Sequence, residues 1–306
     1  YFSNSPGTSG TRITTNSASQ ERPSISGDYI VWQDNRNGNW DIYLYRRSTG
    51  EETQLTTDPG KQWLPIVRGN YIAWYDSSSG DTRIVLYDIA AGEVKDTIKC
   101  DAKTTIPGGS TEFKPALSEK YVAWVEAADD RVHYYSIAEG KMKGPVSTST
   151  AAQSWPSLYG SVVAWEDNRH ASPDIYMIDL DDPSGGEQRI TFDNSDQVSP
   201  VITGQILAWE DKRDAPRSIY MYDRNSGKEM AVPTAGGEQL YPAASGNMIV
   251  WQKARGSYSD IYAFAYNPEG APAVVARIKV EPSSATMNVS DELKFNATCY
   301  DENDEV

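Results

Sequence analysis

Residues 23–32 read Pro-Ser-Ile-Ser-Gly-Asp-Tyr-Ile-Val-Trp, an apolar run that ends in a tryptophan nine residues after a proline. The chain repeats this spacing in six pairs: Pro23 and Trp32, Pro65 and Trp74, Pro115 and Trp124, Pro156 and Trp165, Pro200 and Trp209, Pro242 and Trp251. A repeat of about 40 to 50 residues that is built from short apolar runs is typical of propeller blades. The sequence therefore predicts an all-β repeat array with six blades.

Each repeat contains the patterns of four strands. The glycine-aspartate pair at residues 27–28 favours a tight hairpin turn before the tryptophan strand, because both residues tolerate positive φ. A third strand with an Ile-Tyr pair follows a polar loop, as at residues 41–45 and 174–178. Residues 53–57 and 188–192 are typical of the fourth strand.

The amino terminus carries a further strand pattern. Residues 11–15 resemble the fourth strands but precede the first proline, whereas residues 239–264 supply only three strands. We therefore expect residues 11–15 to complete the last blade, so that the amino-terminal strand closes a six-bladed propeller of four-stranded blades over residues 1–271. Residues 273–277 are the alternative for that outer strand.

The last part of the chain has a different pattern. Residues 276–289 and 291–300 alternate without the proline-tryptophan spacing. They resemble the first two strands of a bacterial-type immunoglobulin-like domain, which needs about a hundred residues. We therefore expect residues 272–306 to be a truncated Ig-like fragment of a longer protein.

The blade pattern is similar to that of the TolB-like propellers. Residues 32–43, 165–176 and 209–220 carry the resemblance, each with a tryptophan, an acidic residue, an arginine and then an Ile-Tyr strand. The Ser-Pro-Asp-Gly turn of that family is absent. The resemblance implies the propeller fold, and its combination with an Ig-like tail is similar to secreted and surface-layer proteins, which implies an extracellular, cell-surface location.

The composition indicates which classes of binding partner are unfavourable. The net charge is −15, with 43 acidic and 28 basic side chains, and this opposes nucleic acid or anionic lipid as a ligand. The sequence contains no run of about 18 apolar residues, so it does not predict membrane insertion. The two cysteines, Cys100 and Cys299, fall in different predicted domains and suggest neither a disulfide framework nor a metal cluster.

Catalytic motifs are scarce. The two histidines, His133 and His170, lie in different repeats, and the Gly-x-Ser-x-Gly elbow of serine hydrolases is absent. The alternative to a binding protein is therefore an enzyme that acts on extracellular polysaccharide through carboxylates.

The acidic residues have two interpretations. An aspartate and an arginine recur two and four residues after the tryptophan, as in Asp34 and Arg36, and a local ion pair is the favoured interpretation. We predict no cofactor, with calcium at the loop containing Asp193 and Asp196 as the weaker alternative.

A polar row precedes the prolines by three residues. Its members are Gln20, Gln62, Glu112, Gln153, Gln197 and Gln239. The row opens the inner strands, where the side chains either bond to the backbone of the neighbouring blade or line a channel mouth that binds water, a cation or a small polar ligand.

Aromatic residues outside the repeat give the functional hypothesis. They occur in loops predicted to share one face: Trp40, Trp63, Phe113, Trp155 and Tyr241. Accessible aromatic rings favour sugars or protein anchors, whereas packing between blades is the structural alternative. The sequence thus predicts a recognition or scaffold module that binds protein or polysaccharide at the cell surface.

Overall fold

The computed structural model describes residues 12–104, 113–233, 236–255, 258–268, 276–281 and 296–300. The chain divides into two compact units. The larger unit comprises residues 16–192, and the smaller unit comprises residues 193–306 with residues 1–15. No helix within the described residues has the length and apolar character that a membrane crossing requires.

The larger unit contains four antiparallel sheets, which are the first four blades. Blades one and two consist of β1 (Gln20–Ser26), β2 (Tyr29–Asp34), β3 (Asp41–Arg46), β4 (Glu51–Gln54), β5 (Gln62–Arg68), β6 (Tyr71–Asp76), β7 (Arg83–Asp88) and β8 (Glu93–Lys99). Blades three and four consist of β9 (Ala116–Leu117), β10 (Tyr121–Glu126), β11 (Arg131–Ser136), β12 (Lys141–Pro145), β13 (Gln153–Tyr159), β14 (Val162–Asp167), β15 (Asp174–Asp179) and β16 (Gln188–Arg189). A short 3-10 turn, Pro183–Gly185, precedes β16.

The smaller unit contains two sheets. Blade five consists of β17 (Gln197–Ile202), β18 (Ile206–Asp211), β19 (Ser218–Asp223) and β20 (Lys228–Ala231). Blade six consists of β21 (Gln239–Ser245), β22 (Met248–Arg255) and β23 (Tyr258–Ala265), and its sheet continues into β24 (Ala276–Glu281) and β25 (Asn296–Tyr300). Six sheets of sequential antiparallel strands confirm the predicted β-propeller class.

Tight turns join the first two strands of the blades, as predicted. Gly69 lies in the turn between β5 and β6 with a φ of +54°. A Cβ atom there would lie 3.0 Å from Cγ of Glu119, so both the backbone angle and the available space favour glycine. A larger residue at this position would therefore strain the turn of blade two.

All six repeat tryptophans are buried, which confirms their predicted structural role, and four of them lie in cores between neighbouring blades of one unit. In the larger unit, Trp124 of blade three packs in one cluster with Ala73 and Ile84 of blade two. In the smaller unit, Trp251 of blade six packs with Ile206 of blade five. Because these four indoles fill the space between two sheets, the blades of a unit are held together mainly by large apolar side chains.

The fourth strands are shorter than predicted. In blade one, β4 ends at Gln54, where the sequence predicted a strand to residue 57. Leu55 still donates to the Ile42 carbonyl at 2.8 Å, but the Ile42 amide donates to the side chain of Thr56 at 2.8 Å. A hydroxyl thus replaces the next main-chain acceptor and ends the ladder.

The predicted closing strand is not observed. Residues 12–15 form no strand, and Thr11 lies outside the described residues. The edge of β23 pairs instead with β24, in which Ile278 lies opposite Ile261. The outer strand of blade six therefore comes from the carboxyl-terminal side of the chain, and it overlaps the predicted alternative, residues 273–277, at two positions.

The carboxyl-terminal segment is described only in β24 and β25, which pair with each other. The other residues of 272–306 lie outside the described part. The Ig-like assignment and the domain boundary at residue 271 stay predictions.

Candidate functional site

A stack of side chains follows the tryptophan in blade one. Trp32 Nε1 donates to Asp34 at 3.2 Å, and the Arg36 guanidinium donates to the same carboxylate at 2.6 Å. The guanidinium lies 4.1 Å from the ring centroid of Tyr43, whose ring stacks on Trp32 at 6.0 Å. Glu52 accepts a second bond from Arg36 at 2.8 Å. Each charged side chain in this stack thus forms an ion pair within the same blade.

The same stack recurs in blade four. Trp165 donates to Asp167 at 3.1 Å, Arg169 donates to Asp167 at 2.7 Å, and Arg169 lies 4.1 Å from the Tyr176 centroid. Glu187 accepts from Arg169 at 2.7 Å. In the smaller unit the equivalent residues are Trp209, Asp211, Arg213, Tyr220 and Glu229. The predicted local ion pair is confirmed in all three blades.

These contacts set the charge state of the repeat aspartates. Burial alone would raise the pKa of Asp34 and of Asp167, but hydrogen bonds from the neighbouring arginine and tryptophan outweigh it. The pKa of each carboxyl is therefore lowered. Both carboxylates are thus held in their ionised form and accept the hydrogen bonds of the tryptophan and the arginine.

The histidines and the described cysteine lie apart. His133 takes the place of the stacked tyrosine in blade three, 6.3 Å from Trp124, and exposed His170 lies 3.0 Å from the Tyr176 hydroxyl. Burial raises the pKa of the Cys100 thiol to about 12, so the thiol stays protonated at neutral pH. These three residues therefore act in separate local structures.

The predicted calcium loop has other partners. Asp193 accepts the Ser195 amide at 2.8 Å, and Asp196 pairs with Lys212 at 2.6 Å. Across the described residues no group of three acidic, histidine or cysteine side chains is arranged to hold a metal ion. The structure thus gives no support to the calcium alternative.

The glutamine row is partly structural. Gln153 Oε1 accepts the Val132 amide of blade three at 3.0 Å, and its Nε2 donates to Asp167 at 3.0 Å. In the smaller unit, Gln239 Oε1 accepts the Ile219 amide of blade five at 3.2 Å. Both glutamines therefore bond to the backbone of the preceding blade, as the structural interpretation of the row expects.

The other glutamines differ. Gln62 is fully buried and donates to the Gly60 carbonyl at 2.9 Å, but its Oε1 has no hydrogen-bond partner within the described structure. The strand amide of blade one that Gln62 could accept is already taken by Thr56. Gln20 and Gln197 likewise donate to carbonyls two residues earlier, and Glu112 lies outside the described residues.

The burial of the predicted aromatic residues next to the repeat prolines depends on how far each residue stands from the proline. Trp63 and Phe113, two residues before it, are buried, and Trp63 packs on Tyr75 with centroids 5.7 Å apart. Trp155 and Tyr241, directly before it, are half-buried and 64% exposed, respectively. Trp40 is half-buried, and its carbonyl accepts the Gln62 amide at 2.8 Å. The accessible members are therefore Trp40, Trp155 and Tyr241.

The backbone directly before the proline is strained in most blades. The residue before the proline has a φ between 51° and 57° in five blades: Arg22, Leu64, Trp155, Ser199 and Tyr241. The register between the first two strands shifts at the same place in each of these blades. Such a β-bulge re-aims a side chain, and a non-glycine residue with positive φ costs about 1–3 kcal/mol. Lys114, at the same position of blade three, is not among them.

Side chains of the preceding blade hold two of these bulges. The Leu64 amide donates to Gln33 Oε1 at 2.9 Å, and the Tyr241 amide donates to Glu210 Oε1 at 2.7 Å. Both acceptors are buried and stand one residue after a repeat tryptophan. The sequence analysis named Trp155 and Tyr241 but did not predict the bulge or the roles of Gln33 and Glu210 as its acceptors.

One cation at this position is unusual. Lys114 is exposed, yet desolvation by the surrounding protein, and secondarily the charge of Arg68, lowers the pKa of its amine. No described carboxylate forms an ion pair with Lys114.

Comparisons place the fold among known propellers. No protein-family model and no curated protein matches the sequence. An oligogalacturonate lyase from Vibrio parahaemolyticus superposes with a TM-score of 0.65 at 12% identity, over 92% of this chain and 84% of that one. An oligogalacturonate lyase in complex with manganese gives 0.59 at 13% identity, over 78% and 71%.

TolB from Acinetobacter baumannii gives a TM-score of 0.52 at 16% identity, over 79% of this chain. The chain spans only 62% of that protein's length. These likenesses confirm the resemblance to TolB-like propellers in fold, and at such identities they show the fold alone.

Proposed function

We propose that this chain is the recognition module of an extracellular, multi-domain surface protein, and that it binds a glycan or protein through side chains at the start of the inner strands. The observation that carries the proposal is the conformation of Trp155. Its φ is +51°, its ring is half-buried, and Phe113 packs against it edge-on with centroids 5.1 Å apart. A large aromatic ring that remains accessible at a strained residue is typical of a binding position.

Tyr241 supports the proposal independently in the smaller unit. It has the same backbone conformation, with a φ of +55°, and its amide is anchored on Glu210. Glu210 in turn pairs with Arg217 at 2.6 Å. An exposed aromatic residue on a braced strand loses little conformational entropy when it binds a ligand.

The states of the carboxylates favour binding over catalysis. A glycosidase needs one carboxyl group with a raised pKa to act as general acid. The recurring Asp34 and Asp167 have lowered pKa values and are bonded to arginine. They therefore suit the blade stacks better than acid catalysis.

A surface location agrees with the acidic composition and with the resemblance of the carboxyl-terminal segment to Ig-like domains. The chain has 43 acidic and 28 basic side chains. This acidic surplus suits a soluble exterior module and disfavours the binding of polyanions such as nucleic acid. The location is tested by detecting the native protein on intact cells with an antibody before and after surface proteolysis.

The binding proposal is tested by screening the whole chain on a glycan array and in a pull-down from cell-envelope extract. We expect Trp155→Ala and Tyr241→Ala each to weaken captured interactions by about 2 kcal/mol, the scale of an interface anchor. Tyr159→Ala is the matched control, since Tyr159 lies at the opposite end of β13 and is 46% exposed. Binding that is unchanged in both variants, with unchanged melting temperatures, contradicts the proposal.

A further inference from the structure

A network of charged side chains holds the exposed tyrosine of the smaller unit. Glu210 uses both of its oxygens, since Oε1 accepts the Tyr241 amide at 2.7 Å and Oε2 pairs with Arg217 at 2.6 Å. Arg217 Nε in turn lies 3.1 Å from Oε1 of Glu238. Three residues of chain span at most about 11 Å, so the backbone positions of Glu238 and Tyr241 are close together. Direct contacts thus connect a second carboxylate to the tyrosine.

The members of this network differ in their exposure. Tyr241 is 64% exposed and the Glu238 side chain 39% exposed, whereas Glu210 is buried. Arg217 is half-buried, and its carbonyl accepts the Gln239 amide at 3.0 Å, which ties it to the start of β21. A partner therefore meets an aromatic ring and a carboxylate that are held from below. We call Arg217, Glu238 and Tyr241 the Tyr241 surface.

The loop that leads to this surface has a surplus of negative charge. Each of the three cations in residues 212–217 already forms an ion pair, and their carboxylate partners are Asp196, Asp211, Glu229, Glu210 and Glu238. Asp214 of the same loop is exposed and accepts the Tyr220 hydroxyl at 2.8 Å. Six carboxylates thus surround three cations. This balance favours an incoming cation over an incoming anion.

We propose that the Tyr241 surface binds a basic segment of a protein, with one arginine or lysine side chain over the Tyr241 ring and another paired with Glu238. The inference rests on the proposed recognition function and specifies the partner of the smaller unit. The face of an aromatic ring attracts a cation, and an exposed carboxylate pairs with one. The charge of −15 on the whole chain also speeds its encounter with a basic partner.

A neutral glycan is the competing ligand for this surface. It would stack on the Tyr241 ring but would gain little from the surplus of carboxylates. The charge balance therefore favours the basic protein segment, and the test below separates the two ligands.

The test compares a basic peptide with its uncharged counterpart. Biolayer interferometry measures the binding of the whole chain to immobilised hexa-arginine and to hexa-citrulline, in which a neutral urea group replaces each guanidinium. We expect hexa-arginine to bind and its affinity to fall as the ionic strength rises, because exposed charges are screened by salt. Hexa-citrulline should bind at least about tenfold more weakly, since it lacks both the cation–π contact and the ion pair.

Matched variants locate the site. Tyr241→Leu should reduce affinity for hexa-arginine about threefold to fivefold, whereas Tyr241→Phe keeps the ring and should keep most of the affinity. Glu238→Gln should reduce it about threefold. The controls are Tyr159→Leu, which removes a tyrosine that is 46% exposed, and Glu93→Gln, which removes an exposed carboxylate of the larger unit. Neither control should change the affinity, and thermal melts show that each variant is folded.

The proposal is overturned if hexa-arginine does not bind, if hexa-citrulline binds equally well, if Tyr241→Leu binds as the parent does, or if Glu238→Gln and Glu93→Gln have the same effect. Capture of a neutral glycan through Tyr241, without a preference for hexa-arginine, would overturn this partner class and leave the recognition function standing. Absence of any ligand that depends on Trp155 or Tyr241 would contradict both.

Discussion

The amide of Tyr241 donates to the buried carboxylate of Glu210 at 2.7 Å, so a strained residue of blade six is held by a side chain of blade five. Gln33 has the same role for Leu64 in the larger unit, at 2.9 Å. A carboxylate and a carboxamide can therefore both serve as the acceptor. The carboxylate has the additional bond to Arg217.

Glu210→Ala should destabilise the protein by about 2–4 kcal/mol, because it leaves the Tyr241 amide without an acceptor and Arg217 without one partner. Glu210→Gln retains an acceptor oxygen and should cost clearly less. Urea denaturation followed by tryptophan fluorescence measures both. Equal losses for the two variants would mean that the ion pair, and not the bulge, accounts for the stability.

Trp165→Phe should cost about 1 kcal/mol more than Trp74→Phe, although both indoles are buried. Trp165 Nε1 donates to Asp167 at 3.1 Å, whereas Trp74 Nε1 has no partner in the described structure. Trp165→Phe thus removes a hydrogen bond to Asp167, whereas Trp74→Phe removes none. Paired chemical denaturation curves test this difference, and a larger loss for Trp74→Phe would contradict it.

Acid should weaken the blade stacks. The pKa of Asp167 is lowered from 3.8 in the folded protein, so folding favours its ionised form. This contribution is present above about pH 4 and is lost as the pH falls through the lowered folded-state pKa. Asp167→Asn should therefore show a smaller loss of stability between about pH 4 and pH 2 than the parent. Exposed Asp58→Asn is the control, and parallel pH curves for parent and Asp167→Asn would refute the assignment.

Gln153→Leu should cost about 2 kcal/mol more than Gln62→Leu. Gln153 bonds to both the Val132 amide and Asp167, and its replacement leaves a buried amide unpaired. Gln62 has an unpartnered Oε1, because Thr56 already takes the corresponding amide of blade one. Thermal melts and urea midpoints of the two variants decide the matter. Similar losses would show that the threonine does not replace the glutamine.

The positions of the repeat tryptophans could be predicted from spacing alone. Trp74, Trp124, Trp165 and Trp251 pack in the same way against the neighbouring blade of their unit, so the pattern recurs and these indoles are buried as expected. The outer strand of blade six could not be predicted in the same way. An outer strand is half solvated, and residues 11–15 and 276–281 both carry the short alternating pattern that suits it.

The period-two alternation of a strand also could not predict which aromatic residues are accessible. A bulge adds one residue to a strand, so side chains before and after it no longer alternate in register. Trp63 and Trp155 looked equivalent in sequence, but they stand two residues and one residue before their prolines, and only Trp155 has the left-handed conformation. The identity of the residue at the bulge therefore depends on backbone geometry that local hydrophobicity does not encode.

The tryptophan, aspartate, arginine, tyrosine and glutamate of the blade-one stack all come from residues 32–52. A gene segment that encodes one repeat consequently carries a complete set of internal polar contacts. In-frame duplication or crossover between repeats would transfer that set intact, so that the apolar surfaces and a few polar bonds between blades, such as those of Gln33 and Gln153, would remain to be matched with the neighbours. Such inheritance allows the codon before each proline to diverge without disturbing how the copied segment folds.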